Sequence, residues 1–204
     1  MAKGSNNYRR LKSRLGQLRK HLLYFLPDPP VSQISYSDRE IDSTRAYVVL
    51  VHAEIESFCE ELVRGKAQAA KLAFDTSGEV KPILRRMVAY YVARKGRSWG
   101  DVLSPPAKVV RSTFESYKTS IEENHGVRRK NLEKLLFPLG IHDKHLNKLM
   151  TWLAQMDSFG KDRGGLAHRS IGAQQAPDPL SQLVTVNQLL NGLLELDRIV
   201  GRIR

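Results

Sequence analysis

The chain has 204 residues, of which 41% are hydrophobic and 26% are charged, a composition that excludes disordered and fibrous proteins and suits one compact domain with an appended arm. Its net charge of +12 favours a polyanionic partner (RNA, DNA or an anionic membrane surface) over a basic surface that meets only solvent. The single cysteine, Cys59, excludes an intramolecular disulfide, and no run reaches the roughly 18 consecutive apolar residues of a membrane span, so we expect a cytoplasmic protein without a transmembrane segment.

The first predicted helix is basic and amphipathic. Leucines recur at three- and four-residue steps, with arginines and lysines between them, at Leu11, Leu15, Leu18 and Leu22. Such a helix can face RNA, lie on a membrane surface or dock on the rest of the chain with its charges in water, and we favour docking. The prolines at 27, 29 and 30 end it. Residues 1–36 are therefore predicted to form a basic N-terminal helix with a proline-rich linker, and residues 37–204 a helical domain.

A long central helix is predicted next. Ser37 and Glu40 form the pattern of a capping box directly before a long apolar-periodic run, so we expect a helix from Asp38 to Phe74. The stretch Ala46–Val51 is apolar nearly all round, which predicts that this helix is more deeply buried than its neighbours. Glu56 falls close to the apolar stripe, and we expect a surface carboxylate or a salt-bridge partner there in preference to a carboxylate in a polar pocket.

The remainder of the chain also has helical periodicity. Three further helices are predicted at Lys81–Arg94, through Val109–Tyr117 and at Val127–Phe137, with a loop at Gly96–Pro106 that carries Trp99. Another helix is predicted to start at His142 and to end at Gly160. The last, Leu180–Arg204, has an apolar stripe broad enough to pack on the bundle and against a second copy. Because no segment has the period-two pattern of strands, the predicted fold class is all-α.

An arginine and a histidine, Arg163 and His168, flank four residues in the segment after Gly160. The glycines at 164–165 can relax the backbone so that both side chains point into one cleft. Arginine is permanently charged and suits a phosphate, while histidine exchanges a proton near neutral pH, which is the pairing that metal-free RNA cleavage requires. The alternative is that Arg163 forms a salt bridge with Asp157 or Asp162 and that His168 only ends a helix.

This segment resembles the HEPN superfamily, whose hallmark is an arginine, four to six residues and a histidine, often preceded by a leucine–alanine or isoleucine–alanine pair. Leu166, Ala167 and His168 match that ending, and Ala46–Glu56 looks like the signature helix of the RiboL-PSP group. The resemblance spans Ser37–Arg204. It implies an up-down helical bundle with a long central helix, to which the basic N-terminal helix is added.

The resemblance also implies a function. It implies a homodimer in which two motifs face one cleft, and a metal-independent endoribonuclease used in toxin–antitoxin systems or anti-phage defence. Arg163 and His168 would be its catalytic residues, RNA its substrate, and an antitoxin or other protein a possible partner. No metal or other cofactor is expected. The competing interpretation is a non-catalytic HEPN-like module that binds nucleic acid or protein.

Several basic side chains are candidates for contacts with the RNA backbone: Lys161, Arg169, Arg128, Arg129 and Lys130. The chain departs from the family pattern in two places. Active relatives often have asparagine, aspartate or histidine directly after the motif arginine, where this chain has Gly164. Some relatives have a modifiable tyrosine two residues after the histidine, where this chain has Ser170, so that form of control is not predicted. His142 and His145 lie three residues apart, but no third metal ligand is evident.

Overall fold

The structure is a computed structural model that describes residues 4–31, 35–94, 106–168 and 176–203, with only the backbone described at 165–168. Within these ranges the chain is helical and has no strand. The predicted all-α class is confirmed. No helix in the same ranges has the length and apolar character needed to cross a membrane.

Helix α1, Asn6–Leu22, docks on the bundle through its leucine stripe. Its buried side chains pack against α2 (Asp38–Ser77) and the last helix, and they are Tyr8, Leu11, Leu15 and Leu18. The start of α1 is also held, because the Ser5 hydroxyl donates to Asp197 over 2.6 Å. The docked arrangement is thus confirmed, and most of the arginines and lysines of α1 are left exposed.

Helix α2 begins and ends as its sequence signals predict. The Ser37 side chain accepts from the Glu40 amide, and the Glu40 carboxylate accepts from the Ser37 amide, which completes the capping box. The helix ends at Gly78, whose φ of 71° is a left-handed conformation that glycine adopts without steric cost. The prediction of a helix from Asp38 to Phe74 is confirmed to within three residues.

The middle of the chain folds into three helices around α2. They are α3 (Pro82–Arg94), α4 (Pro106–Glu122) and α5 (Arg129–Leu136), and a 3-10 turn at Phe137–Leu139 follows. These three helices are predicted correctly, whereas the loop with Trp99 lies outside the described residues. The remaining helices are α6 (Asp143–Leu146), α7 (Met150–His168) and α8 (Pro179–Arg202).

The prediction of one helix from His142 to Gly160 is wrong at both ends. A short helix and a 3-10 turn at Asn147–Leu149 precede α7, which starts at Met150. At the other end α7 continues through Gly160 to His168, so the motif lies within a helix and not in a segment between helices. Gly160 serves packing, because a Cβ there would lie 2.7 Å from Cγ of Arg128. The glycine permits a close approach of side chains preceding α5 and does not stop the helix.

Helix α2 is the centre of the bundle and packs against α1, α3, α4, α5, α7 and α8. The outer helices are also fastened to one another by buried hydrogen bonds. The Trp152 indole N–H on α7 donates to the Leu189 carbonyl on α8 over 3.0 Å, and the Tyr117 hydroxyl donates to the Leu135 carbonyl over 2.6 Å. Cys59 is buried on α2, and burial raises the pKa of its thiol, as expected for a small core side chain. The start of α7 is therefore fixed to α8, and α4 is fixed to α5.

Candidate functional site

The motif arginine is half-buried on α7. Its Nε is shielded from solvent and has no hydrogen-bond partner among the described residues. A buried guanidinium nitrogen without a partner is unfavourable for stability, and such groups concentrate at functional sites. His168 is the last residue of α7; its side chain lies outside the description. On a regular helix two residues five apart point about 140° away from each other. The helix alone therefore does not bring the side chains of Arg163 and His168 together.

Two titratable side chains of α2 lie near Arg163. His52 and Glu56 are one helical turn apart, with His52 only 3% exposed and the Glu56 side chain 20% exposed. The His52 ring stacks on Phe159, with centroids 6.0 Å apart and an angle of 29° between the rings. Phe159 precedes Arg163 by one turn of α7. The stacking contact therefore aligns the face of α2 that carries His52 with the face of α7 that carries Arg163.

Burial and the charge of Arg163 set the protonation of this pair. Burial lowers the pKa of His52 to about 4, and the positive charge of Arg163 acts in the same direction. Burial raises the pKa of Glu56. A hydrogen bond from the Gly126 amide and the charges of Arg163 and His125 partly offset this rise, because they stabilise the ionised carboxylate. The imidazole is thus neutral near pH 7. Its Nδ1 lies 3.7 Å from Oε2 of Glu56, which is too long for a hydrogen bond, and it has no other partner among the described residues.

The connection between α4 and α5 completes this cluster. The buried Asn124 side chain donates to the Gly126 carbonyl and to Oε1 of Glu60, both over 3.1 Å, and accepts from Asn131 over 3.3 Å. These bonds hold the turn whose Gly126 amide hydrogen-bonds to Glu56. A polar turn is thereby fixed against α2 at the level of Arg163.

The expectation of a surface Glu56 is wrong, because its side chain is only 20% exposed. Its ion-pair partner by distance is His52 at 3.7 Å, and that histidine is neutral at physiological pH, so the pair carries one charge. Sequence reasoning also missed His52 and Asn124 as parts of the site. The available signal was the presence of His52 within the most apolar part of the α2 stripe, since a polar side chain at a core position needs a reason to be there.

The alternative in which Arg163 pairs with Asp157 is not observed among the described residues. The Asp157 carboxylate instead accepts the Arg129 amide over 2.9 Å and lies 3.5 Å from Nε of Arg128. Arg128 packs over Gly160, three residues before Arg163, which places it along the α7 surface near the motif. Asp157 therefore anchors the start of α5 to α7. Arg163 lies instead near His52 and Glu56.

The other candidate RNA contacts have different surroundings. Arg129 is held by two carboxylates, Glu133 at 2.6 Å and Asp143 at 3.3 Å. Lys130 and Lys161 are exposed, and Arg169 lies outside the described residues. Lys130 and Lys161 therefore lie on the surface without an ion pair among the described residues, whereas Arg128 pairs with Asp157 and Arg129 pairs with Glu133 and Asp143.

A comparison with family models matches residues 9–195 to the RiboL-PSP-HEPN model. The chain belongs to the RiboL-PSP-HEPN family. The match starts inside α1, and so extends further towards the N-terminus than the resemblance that begins at Ser37. Comparisons with curated proteins and with solved structures gave no match. Membership of the RiboL-PSP-HEPN family points to a nuclease or another RNA-related function.

The His52 site predicts a specific dependence of stability on pH. Because its pKa is lower in the folded than in the unfolded chain, the folded state binds fewer protons, and stability is lost as pH falls from the unfolded value towards about 4. We expect the free energy of unfolding to fall by about 1.5–2 kcal/mol between about pH 6 and about pH 4.5 from this group alone. Urea unfolding of the wild type and of His52→Phe, which keeps a ring on Phe159 but cannot titrate, measures the difference.

Glu56 acts in the opposite direction in this experiment, since a raised carboxyl pKa makes folding less favourable as pH rises above its unfolded value. The comparison with His52→Phe at each pH isolates the histidine contribution. The exposed His21 provides the control, and His21→Phe should follow the wild type at both pH values. Equal pH dependence in wild type and His52→Phe would contradict the assignment of a buried neutral imidazole.

Proposed function

We propose that this protein is a metal-independent endoribonuclease whose catalytic residues are Arg163 and His168. The observation that carries the proposal is the half-buried Arg163 guanidinium, whose Nε has no partner among the described residues and which lies beside the buried His52 and the half-buried Glu56. Family membership and the net charge of +12 support RNA as the substrate.

The proposed reaction uses the ribose 2′-hydroxyl of the RNA as nucleophile. His168 acts as general base or general acid, taking the proton of the 2′-hydroxyl or giving one to the leaving 5′-oxygen. The oxygen–phosphorus bond to the 2′-oxygen forms as the bond to the 5′-oxygen breaks. The products carry a 2′,3′-cyclic phosphate and a 5′-hydroxyl, and neither a metal nor another cofactor takes part.

Arg163 holds the scissile phosphate and stabilises the charge that develops on its oxygens. In this proposal Glu56 and His52 position the guanidinium. The Glu56 carboxylate attracts it, while the neutral His52 adds no competing positive charge and fixes α7 through Phe159. Lys161, Arg128, Lys130 and Arg169 contribute contacts with the RNA backbone, which increase affinity without reading sequence.

One histidine in each subunit supplies one proton carrier, whereas the reaction uses a base and an acid. A two-fold homodimer that brings two motifs to one cleft provides both. The proposal therefore includes a composite dimeric site. It also includes a cellular role as a toxin or anti-phage effector in the cytoplasm, restrained by an antitoxin or another protein partner.

The test is incubation of the purified chain with single-stranded RNA in a buffer that contains EDTA. We expect cleavage, with products whose 3′ ends resist further phosphatase treatment until the cyclic phosphate is opened by acid. Light scattering on the same sample is expected to give twice the chain mass of 23.1 kDa. Cleavage that stops in EDTA and returns with Mg²⁺ would contradict the metal-independent mechanism.

A second candidate is a non-catalytic RNA- or protein-binding module, and the observation that favours it is Gly164. A Cβ at this position would contact none of the described residues within 4 Å, so they leave open the space that a polar side chain occupies in the active relatives that the sequence resembles. Retention of RNA binding with no cleavage, in EDTA and in Mg²⁺ alike, would favour this candidate over the nuclease.

A further inference from the structure

A cleft of about 990 Å³ lies at the end of the bundle where α7 begins and α8 ends. Its walls come from α3, the segment Gly140–Leu149 and the C-terminal turns of α8. Arg163 is thirteen residues further along α7 than Met150, which is a distance of about 20 Å on a helix. The cleft is therefore separate from the motif, and its size is at the upper end of the roughly 300–1,000 Å³ of small-molecule sites.

Four cationic side chains line this cleft, all of them exposed: Arg86, Lys144, Lys148 and Arg202. Within the described chain, no carboxylate forms an ion pair with Lys144, Lys148 or Arg202. The lining has one carboxylate, Glu195, and it is bonded to Arg198 on its own helix. Lys144, Lys148 and Arg202, gathered in one concave surface without an ion pair among the described residues, attract an anion.

The floor of the cleft is apolar. Ile141 and Leu149 are buried at its base, and Ile199 and Ile203 contribute partly exposed side chains from α8 and the residue after it. A surface that binds only the phosphate backbone of a nucleic acid does not require an apolar floor. The combination of an apolar floor with cations around it fits a ligand that joins an apolar group to phosphates.

The C-terminal end of α8 would be expected to repel an anion, because its last carbonyls carry partial negative charge. Lys66 of α2 removes this obstacle, since its ammonium donates to the Gly201 carbonyl over 3.0 Å and to the Ile203 carbonyl over 3.2 Å. Two of the terminal carbonyls are thus satisfied by a cation. This reduces the negative potential of the helix end beside the cations that line the cleft.

His145 adds a hydrogen-bond donor to the lining. Its Nδ1 accepts the His142 amide over 3.1 Å, so in the neutral ring the proton is on Nε2, which is then available to donate. His142 and His145 both line the cleft. An acceptor-rich phosphate matches this set of donors, whereas a cation such as a metal ion would meet four positive side chains.

We propose that this cleft is a second binding site, distinct from the motif, for a small organic phosphate: an apolar or ring-bearing group joined to two or more phosphates. The phosphates contact Lys144, Lys148 and Arg202, and the organic group lies on Ile141, Leu149 and Ile199. Binding at this cleft does not depend on RNA cleavage by Arg163 and His168.

Isothermal titration calorimetry tests the proposal with ADP, inorganic pyrophosphate and adenosine as probes. We expect ADP to bind most tightly, pyrophosphate less tightly and adenosine least. The double variant Lys144→Gln/Lys148→Gln should weaken ADP and pyrophosphate by about tenfold or more, because it removes two charged donors. Ile199→Ala should weaken ADP alone. The control Lys12→Gln/Lys20→Gln, which removes the same charge from the exposed face of α1, should leave ADP affinity unchanged.

Three outcomes would overturn the proposal. The first is equal weakening of ADP by the control double variant, which would show that net charge alone binds it. The second is equal affinity for ADP and pyrophosphate, with no effect of Ile199→Ala. The third is binding of a non-cleavable single-stranded oligodeoxynucleotide that depends on Lys144 and Lys148, with no binding of ADP, which would make the cleft part of a nucleic-acid surface.

Discussion

Replacing His168 by alanine is expected to lower the rate of RNA cleavage by about 10²–10⁴-fold, the range that a positioned proton carrier contributes. The variant loses the group that takes or gives the proton, while the phosphate contact of Arg163 remains. Initial rates on a labelled single-stranded RNA in EDTA measure the effect. The pH–rate profile should also change, because the wild type follows the titration of a histidine and the variant no longer does.

Two controls accompany this measurement. His21→Ala removes an exposed histidine from the last turn of α1 and should cleave RNA at the wild-type rate. Circular dichroism and thermal unfolding should give the same helix content for wild type and His168→Ala, since His168 is the last residue of its helix. Undiminished cleavage by a folded His168→Ala would exclude the proposed mechanism and favour a contaminating nuclease or a different site.

Arg163→Ala is expected to lower cleavage by about 10²–10³-fold, as loss of one preorganised donor to developing charge does. Arg163→Lys should recover only part of this, because an ammonium supplies the charge but not two parallel hydrogen bonds to a phosphate. The side chain is half-buried beside Glu56 and His52. The alanine variant therefore also removes the positive charge that favours an ionised Glu56, and this predicts a further rise in the pKa of that carboxyl.

Arg111→Ala is the matched control, since Arg111 is exposed on α4. It should leave cleavage and stability unchanged. Thermal unfolding separates catalysis from structure at Arg163. If Arg163 serves only to neutralise Glu56, then Arg163→Ala loses stability and cleavage together, and Arg163→Lys restores both fully. Full activity in a folded Arg163→Lys would thus contradict a bidentate phosphate contact.

The sequence was sufficient for most of the helices because their boundaries depend on local chemistry. The Ser37–Glu40 capping box starts α2 where it is predicted, and the leucine spacing of α1 correctly predicts a docked face. Both features arise from neighbours within one or two turns, so that no distant contact is needed to interpret them. The Arg163–His168 spacing likewise led to the correct family, to which residues 9–195 match.

Glycine gave the wrong helix boundary because its effect depends on what packs against it. At Gly78 the backbone has a positive φ and the helix ends, as the residue type suggests. At Gly160 the backbone remains helical and the missing Cβ makes room for Arg128, a residue 32 positions earlier in the chain. Local sequence cannot distinguish these two uses, since the second depends on a partner from another element.

The amino-acid order by itself determined the helical class, the long α2, the basic surface and the candidate Arg163–His168 pair, because periodicity, capping and charge are properties of short stretches. Only the tertiary structure decided that His52 and Glu56 lie beside Arg163 and that the Gly126 amide contacts Glu56. Burial and proximity between distant segments create those shifts in pKa, and a side chain has no low-dielectric surroundings until the helices that enclose it have packed.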